Sequence, residues 1–483
     1  MGSFSSFALS IISAAILSRY FDKTEYGTYR QIIYIYNTLL VVFSAGLPRV
    51  FSYYLPRYSL ANGKDIVLKI SKVLFLAGFI FSIFLYLFSG LIATILKNPE
   101  LEIGLKYFAP VPMFLLPTLG IEGIFSTYKK TIYAAIYNTL SRLLMLLFIV
   151  LPVILLQGDY LYAIYGWLVV SIITFFIAFY FKGIPFKGVG LEKSTLKLKD
   201  ILTYSIPLLI ASLGGIAMKS ADQFYISRYF GAETFAEFSN GFMELPFVGM
   251  ITFSIASVLM PQFSKMIHEK SEVHEIIQLW QSALMKSAML IYPLVLFFLF
   301  YASEVISILF TKEYIASAIY FRIALITNFF NVIMFAPLLL SMGETKFYSR
   351  LHVVFAVIAW VGGYIIVILT NSPIALAIFS VSKLILLTLV AFYYTSKLIK
   401  VNFFQLFPIL KLNKLVIHSL LSLIIVTYTV QKLFLNLDNI FTISILFISF
   451  ILILLLTSKL FKLDYLSSLQ PLLLKFKFIF KNK

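Results

Sequence analysis

Apolar runs long enough to cross a membrane recur from one end of this sequence to the other. A helix needs about 20 such residues to cross the roughly 30 Å of hydrocarbon in a bilayer. Of the 483 residues, 61% are hydrophobic and only 12% are charged, a balance that no ordinary water-soluble domain has. Backbone polar groups in lipid need internal partners, and the alternation typical of a membrane barrel is absent. The sequence therefore predicts an all-α polytopic membrane protein.

We predict about fourteen transmembrane helices, and the Lys and Arg residues between them predict the orientation. The approximate limits are 4–20, 31–55, 70–96, 103–127, 132–156, 160–181, 201–229, 240–263, 280–310, 316–342, 350–370, 373–396, 414–436 and 439–458. Even-numbered connections and the tail hold roughly 25 Lys and Arg residues, whereas odd-numbered connections hold about 7. Both termini are therefore expected in the cytoplasm, with a basic amphipathic tail from Lys459 to Lys483 lying on the membrane surface.

A short sequence repeat divides the chain into two halves. Ser18-Arg19-Tyr20-Phe21 recurs as Ser227-Arg228-Tyr229-Phe230, and each copy ends one apolar run and precedes another. Two related lobes in the same orientation are a known plan for transporters. We expect a six-helix lobe at 1–181, a cytoplasmic linker at 182–200, a second six-helix lobe at 201–396, and an extra helix pair with the tail at 397–483.

Several classes of function lack the residues that they need. The net charge of +18 is carried by lysines between apolar runs, which indicates membrane anchors and not nucleic-acid binding. The chain has no cysteine, so thiol catalysis, disulfides and cysteine-ligated metals are excluded. It has no Asp-x-Asp motif, no phosphate-binding loop of the ATPase type, and no histidine spacing that indicates zinc. We therefore predict neither an enzyme nor a cofactor.

Charged side chains inside the apolar runs are the candidate site. A charge in hydrocarbon costs several kcal/mol on most scales, so such residues usually face a bundle interior or a wet cavity. The alternative for each is an interfacial residue whose long side chain reaches the headgroups. The candidates for substrate binding are Arg49, Arg142, Lys219 and Arg322, and those for ion coupling are Asp222, Glu122 and Glu244.

Two further features could belong to such a site. Lys219 and Asp222 are three residues apart and share one helix face, just after Gly214-Gly215, where the helix could bend. They form either a site whose charge responds to the substrate or to a cation, or an ion pair in which the two charges cancel and the helix can insert into the membrane. Four tyrosines could stack on sugar faces in a cavity or instead lie against lipid: Tyr34, Tyr36, Tyr53 and Tyr54.

The first connection resembles one from polysaccharide repeat-unit flippases (the Wzx type) of the multidrug/oligosaccharidyl-lipid/polysaccharide exporter superfamily. In that family helix one ends in a run "R-Y-L-G-x-x-E-Y-G-x-Y", which is similar to Arg19 through Tyr29, with Phe21-Asp22 in place of Leu-Gly. The stretch from Asp222 to Gly231 resembles the second-lobe pattern "D-x-x-x-I-x-x-x-x-G", and Pro261-Gln262-Phe263-Ser264 resembles the usual end of helix eight. The resemblance covers nearly the whole chain.

This resemblance implies a flippase that carries an undecaprenyl-diphosphate-linked oligosaccharide across the bacterial inner membrane by alternating access. The implied partners are this lipid-linked substrate, membrane lipids, a coupling H⁺ or Na⁺, and polysaccharide polymerase machinery, with no nucleic acid. Arginine suits a diphosphate through its fork of donors, so Arg49 and Arg142 are expected to bind it, with Lys219 assisting. The alternatives are a drug/cation antiporter of the same superfamily, a major-facilitator transporter of a soluble solute, and a membrane oligosaccharide polymerase or ligase.

Overall fold

The computed structural model describes residues 2–433 and 439–465, and every regular element in these ranges is helical. The predicted tail lies outside the described residues beyond Tyr465. The α-helices are α1 Gly2–Tyr20, α2 Lys23–Ser44, α3 Pro48–Tyr54, α4 Leu60–Leu96, α5 Glu100–Phe108, α6 Val111–Leu115, α7 Ile121–Thr127, α8 Thr131–Leu156, α9 Tyr160–Gly183, α10 Leu198–Gly241, α11 Pro246–His268, α12 Val273–Phe300, α13 Ala302–Phe310, α14 Ser317–Ile326, α15 Asn328–Asn331, α16 Phe335–Ser341, α17 Thr345–Thr370, α18 Pro373–Leu398, α19 Phe403–Leu406, α20 Ile409–Leu433 and α21 Asn439–Thr457.

The predicted all-α polytopic fold is confirmed. In the described ranges, 11 helical stretches are long and apolar enough to cross a membrane, and two bent pairs raise the number to 13. The bent pairs are Leu198–Ile210 with Ser212–Gly241, at 43°, and Ser317–Asn331 with Phe335–Ser341, at 40°. Together with α1, these stretches overlap all of the fourteen predicted spans.

Prolines explain why one predicted span is assembled from short pieces. The stretch predicted at 103–127 is built from α5, α6 and α7, with Pro110, Pro112 and Pro117 at or near the breaks. Each proline lacks the N–H that would continue the helical ladder. Gly120 then turns the chain into α7 with φ +86, and a Cβ there would collide with the ring of Phe51. The breaks leave backbone carbonyls that need donors from elsewhere.

The described residues fold into two compact units. One comprises Met1–Ser239 and Ala356–Leu376, and the other comprises Asn240–Phe355 and Ala377–Lys483. The first unit therefore includes almost all of α10, which the sequence repeat assigns to the second lobe. The superposition of the two predicted lobes stays a prediction. The core of the first unit includes Phe51, Ile70 and Phe186, all buried.

The linker predicted at 182–200 is shorter than expected and is bound to α4. Helix α9 continues to Gly183 and a 3₁₀ turn follows at Ile184–Phe186, so that only 187–197 is irregular. Ser194 donates from its backbone N and its Oγ to Asp65 Oδ2, at 2.7 and 2.6 Å. Lys69 Nζ lies 2.8 Å from the same carboxylate oxygen. Both Asp65 and Ser194 are buried, so the linker is part of the first unit's packed structure.

The second unit includes the C-terminal helix pair α20–α21. Buried His418 of α20 makes hydrogen bonds to Thr457 Oγ1 at 2.8 Å and to Tyr465 Oη at 2.9 Å. Tyr301, between α12 and α13, lies 2.5 Å from Thr427 Oγ1 of α20. These side-chain bonds fix the pair within the unit, in addition to its apolar packing.

Candidate functional site

The segment from α2 through α3 determines how the polar residues of the first unit are arranged. Asp22 caps α2 by accepting from Glu25 N at 2.8 Å, and α2 ends where Ala45 and Gly46 adopt left-handed conformations. Pro48 then begins α3. The 35 residues from Lys23 to Arg57 together form one candidate membrane span, interrupted at Ala45 and Gly46. We call the two ends of this segment the Lys23 end and the Arg57 end.

Arg49 and Arg142, the predicted diphosphate ligands, both lie exposed in the first unit. Within the described part of the chain, neither guanidinium pairs with a carboxylate. The polar neighbour of Arg142 is Met145, whose sulfur lies 4.0 Å from Nη1. The charge on each arginine is therefore not neutralised by an ion pair there.

Glu122 lies beside Arg142 without forming an ion pair with it. Asn138 Nδ2 donates to Glu122 Oε1 at 2.7 Å, which joins α7 to α8. Asn138 and Arg142 are four residues apart on α8 and therefore share a face. The structure thus brings Glu122 and Arg142 to the same side of α8, where Asn138 binds the glutamate.

Lys219 and Asp222 lie on α10, with the lysine exposed and the aspartate buried. Tyr34 of α2 donates from its hydroxyl to the Ser220 carbonyl at 3.1 Å, within the turn that carries Asp222. Trp360 of α17 donates from Nε1 to the Ala217 carbonyl at 2.9 Å. The middle of α10 is therefore enclosed by α2 and α17 in the first unit, and this enclosure accounts for the burial of Asp222.

The other two predicted site residues, Glu244 and Arg322, lie in the second unit. Glu244 is exposed in the irregular stretch between α10 and α11. Arg322 donates from Nη2 to Ser303 Oγ at 2.9 Å and from Nε to the Leu299 carbonyl at 3.4 Å, at the junction of α12 and α13. These bonds attach Arg322 to the junction, and its contact with a substrate stays a prediction. Five of the seven predicted residues therefore share the first unit.

The four predicted tyrosines occupy different environments. Tyr36 is buried and packs parallel to Phe81 with ring centres 5.9 Å apart, so it is a core residue and has no face available to a sugar. Tyr34 is half-buried against α10. Tyr53 and Tyr54 lie at the Arg57 end, where Tyr53 stacks on Tyr204 at 3.9 Å.

A buried amide network at the Lys23 end was not predicted from the sequence. Asn98 Nδ2 donates to Gln31 Oε1 at 2.7 Å and to Thr28 Oγ1 at 2.9 Å. Gln31 Nε2 donates in turn to Ser227 Oγ at 2.7 Å. All four side chains are buried, and they join α2, the α4–α5 connection and α10. Ser227 belongs to the repeated Ser-Arg-Tyr-Phe sequence, but the repeat alone does not indicate its partner.

Charged side chains reinforce this network at its edge. Lys23 Nζ lies 2.8 Å from Glu237 Oε1 and 3.6 Å from Glu233 Oε1. Arg30 Nη2 donates to the Ser239 carbonyl at 3.2 Å, and Arg228 donates to the Ile95 carbonyl. Each contact joins α10 either to α2 or to α4, so polar bonds hold these helices together at the Lys23 end of the first unit.

Lys182 is a second feature that the sequence did not indicate, because it falls at the predicted start of the linker. Its side chain is buried and donates to the Pro117 carbonyl at 2.6 Å and to Ser71 Oγ at 3.2 Å. Its Nζ also lies 4.9 Å from the centre of the Phe51 ring. Lys182 therefore supplies a donor to the broken span at Pro117. Across the described residues, no three His, Asp or Glu side chains cluster as metal ligands would.

Comparison with known proteins shows the family to which the sequence belongs. A family model described as polysaccharide biosynthesis protein matches residues 1–267, which is more than half of the chain. Among curated protein sequences, a search finds no significant match.

Several solved structures share the fold. A structure of the lipid II flippase MurJ in an inward closed conformation has a TM-score of 0.73 at 16% identity, covering 95% of this chain and 97% of MurJ. An inward-facing multidrug resistance MATE transporter of the MOP superfamily has a TM-score of 0.66 at 14% identity, covering 82% of this chain and 94% of its own. A MOP superfamily transporter from Pyrococcus furiosus has a TM-score of 0.59 at 14% identity, covering 83% and 93% respectively. At these identities the similarity shows a shared fold.

Proposed function

The chain belongs to the polysaccharide biosynthesis protein family, and from this premise we propose that it is a flippase for a lipid-linked oligosaccharide. The substrate is an undecaprenyl-diphosphate-linked repeat unit, which the protein moves across the bacterial inner membrane by alternating access. A headgroup with two phosphates and several sugars does not cross hydrocarbon unaided, so it needs a polar path. No covalent step is required, and the protein acts as a transporter and not as an enzyme.

The observation that carries this proposal is the pair of exposed arginines on apolar helices of the first unit. Arg49 and Arg142 have no carboxylate partner among the described residues. An unneutralised cation at membrane depth is costly, and an anionic headgroup would relieve that cost. Guanidinium groups bind phosphate with two parallel hydrogen bonds, which favours a diphosphate over a neutral solute. Lys219, exposed on α10, assists from the same unit.

The proposal also gives the network at the Lys23 end a function. In alternating access one end of the path opens while the other closes. The bonds from Gln31 to Ser227 and from Lys23 to Glu237 would then hold this end closed and break when it opens. The Lys and Arg bias of the connections supports an orientation with the Lys23 end outside the cytoplasm. Reporter fusions at Lys193 and after Lys483 test that orientation, and both are expected to report a cytoplasmic location.

The energy source in this proposal is a gradient of H⁺ or Na⁺. Asp222 is the candidate for coupling, since it is buried on α10 beside the turn that Tyr34 contacts. Glu122 and Glu244 are exposed and serve as secondary candidates. The polysaccharide polymerase is the proposed partner that uses the translocated substrate.

Export of a lipid-linked glycan in cells provides the test. Arg49 and Arg142 are each replaced by Lys and, in separate variants, by Ala, and all variants are compared at matched expression. The control is Lys72→Ala, which removes an exposed positive charge from a different helix, α4. We expect the Ala variants to lose most export, the Lys variants to retain part of it, and the control to export normally. Full export by both Ala variants would remove the diphosphate role.

A drug/cation antiporter is the second candidate, and the fold shared with MATE transporters favours it. The two functions differ in the charge of what is carried. An antiporter for cationic drugs is expected to need Asp222 and not Arg49 or Arg142, because the arginines repel a cation. Expression in a drug-sensitive host separates the two, since a flippase is expected to leave drug tolerance unchanged.

A further inference from the structure

An arginine is stacked on a tyrosine pair at the Arg57 end of the first unit. The Arg57 guanidinium carbon lies 3.6 Å from the centre of the Tyr53 ring. The Tyr204 ring of α10 lies 3.9 Å from that of Tyr53 and is tilted by only 19°. The three planar groups therefore form a stack, which we call the Arg57 stack. An arginine that stacks on an aromatic ring can keep its N–H donors for another partner.

The Arg57 stack rests on a rigid base. Val50, Phe51 and Leu55 are buried in the core of the first unit, on the opposite side of the same short segment. Tyr54 packs edge-on against Tyr53 at 4.9 Å and donates from its hydroxyl to the Asp200 carbonyl at 3.1 Å. These contacts fix the stack before any ligand arrives, so little conformational freedom is lost on binding.

The donors of Arg57 are not used within the described part of the chain. The side chain is exposed, and no hydrogen bond or ion pair joins its guanidinium to another described residue. The nearby acid, Asp200, has its carboxylate engaged, because Oδ2 accepts from Lys197 N at 3.0 Å. Arg49 precedes Tyr53 by four residues on α3 and so lies on the same face as the stack. Arg49 and Tyr53 therefore share one side of α3.

The depth of the Arg57 stack indicates the kind of ligand. Arg57 is the last residue of the candidate span Lys23–Arg57, and the end of a span faces the headgroup region. Phosphate groups of lipids lie at that depth. A planar guanidinium with free edges binds a phosphate oxygen pair better than it binds a neutral sugar or a carboxamide.

We propose that the Arg57 stack, with Arg49, is a binding site for a phosphate ester at the membrane surface, and that its occupant is the diphosphate of the substrate as it loads. This assignment of the occupant rests on the proposed function, whereas the anion site itself does not. Arg57 binds the phosphate, Tyr53 and Tyr204 position the guanidinium, and Arg49 contacts the second phosphate.

Calorimetric titration of inorganic pyrophosphate into the purified protein tests the site. The protein is held in nanodiscs of phosphatidylcholine, which carry no net charge. We expect Arg57→Gln to weaken binding about tenfold, and Tyr53→Leu to weaken it severalfold because the guanidinium loses its support. Tyr53→Phe keeps the ring and is expected to bind more tightly than Tyr53→Leu. Lys72→Gln removes one exposed positive charge elsewhere and serves as the control.

Unchanged binding by Arg57→Gln would overturn the site, and a normal affinity in Tyr53→Leu would overturn the positioning role. Because Lys72→Gln removes a positive charge away from the stack, normal binding by this variant shows that loss of one surface charge alone does not weaken pyrophosphate binding. Melting curves of every variant in the same nanodiscs give an independent measure of folding.

The source of the phosphate is identified with a second nanodisc composition. Phosphatidylcholine mixed equally with phosphatidylglycerol offers a competing lipid headgroup. If phosphatidylglycerol abolishes the Arg57-dependent binding of pyrophosphate, the occupant is a membrane lipid, and the assignment to the substrate is wrong. Persistent binding, together with reduced glycan export by Arg57→Gln, supports it. A wild-type protein that exports no glycan but binds pyrophosphate through Arg57 would refute the proposed function and leave the anion site standing.

Discussion

Lys182 Nζ donates a hydrogen bond of 2.6 Å to the Pro117 carbonyl, where the broken span α5–α6–α7 changes direction. A proline-broken helix leaves carbonyls without their usual N–H donors, and a buried acceptor without a donor costs about 1–3 kcal/mol. The lysine also reaches Ser71 of α4, so that one side chain joins three parts of the first unit. Lys182 therefore acts as a structural hydrogen-bond donor inside the packed helices.

We predict that Lys182→Met lowers the stability of the protein by about 1–3 kcal/mol, since methionine fills the space but leaves the Pro117 carbonyl without its donor. Thermal unfolding in detergent, followed by loss of the folded peak in size-exclusion chromatography, measures the change. Lys193→Met, at an exposed linker position, is the control and is expected to unfold with the wild type. Equal stability of Lys182→Met and the wild type would show that the carbonyl finds another donor.

We predict that Asp65→Asn releases the linker from α4. The carboxylate accepts from Ser194 N and Oγ, and loss of a charge-assisted bond weakens the attachment by at least 1.4 kcal/mol, or roughly tenfold in the fraction detached. Lys193 and Lys197 are exposed in this linker, so trypsin is expected to cleave there about tenfold faster. Glu192→Gln changes a linker carboxylate that is exposed and serves as the control. Equal cleavage rates for Asp65→Asn and the wild type would contradict the attachment.

The fold could be predicted from the sequence because the length of an apolar run determines whether the segment can cross a bilayer as a helix. Each predicted span overlaps a helix or a bent helix pair. The predicted end of the span 201–229 agrees with a break in α10 at Gly231, where φ is +82, and a second helical piece then continues to Gly241. The sequence did not indicate that this second piece carries Glu233 and Glu237, which pair with Lys23 more than 200 residues away in the sequence.

The candidate site could be predicted only in part, for a similar reason. Charges in apolar runs identify Arg49, Arg142 and Asp222 as unusual, but they do not show which side chains meet. The amides Gln31 and Asn98 carry no charge and so gave no signal, although both are buried in one network. Arg322 gave the expected signal but is bound to a helix end. Contacts between segments that are distant in the sequence determine the partner of each of these side chains, and a single sequence does not show those contacts.

We predict that bridging α2 to α10 at the Lys23 end blocks transport. The natural chain has no cysteine, so the double variant Gln31→Cys with Ser227→Cys provides two unique thiols. Gln31 Nε2 lies 2.7 Å from Ser227 Oγ, which places the two positions within reach of a short bifunctional methanethiosulfonate. Glycan export is expected to stop on treatment and to return with reductant.

Each single-cysteine variant, treated in the same way, is the control for modification without bridging. The prediction depends on the two helices separating in each transport cycle. Full export by a protein whose bridge is verified by mass spectrometry would show that this end does not open.

We predict that Asp222→Asn uncouples export from the ion gradient. Asp222 is buried on α10, where Tyr34 and Trp360 contact the same part of the helix. Burial disfavours the charged form of a carboxylate, and a bound cation favours it. Binding of H⁺ or Na⁺ neutralises it, and asparagine imitates that neutral state permanently. Export by the variant is expected to be slow and insensitive to ionophores, whereas Asp222→Glu is expected to retain part of the response. Asp200→Asn keeps a helix cap on the same helix and serves as the control. An ionophore response in Asp222→Asn equal to that of the wild type, at equal expression, would assign coupling to another residue.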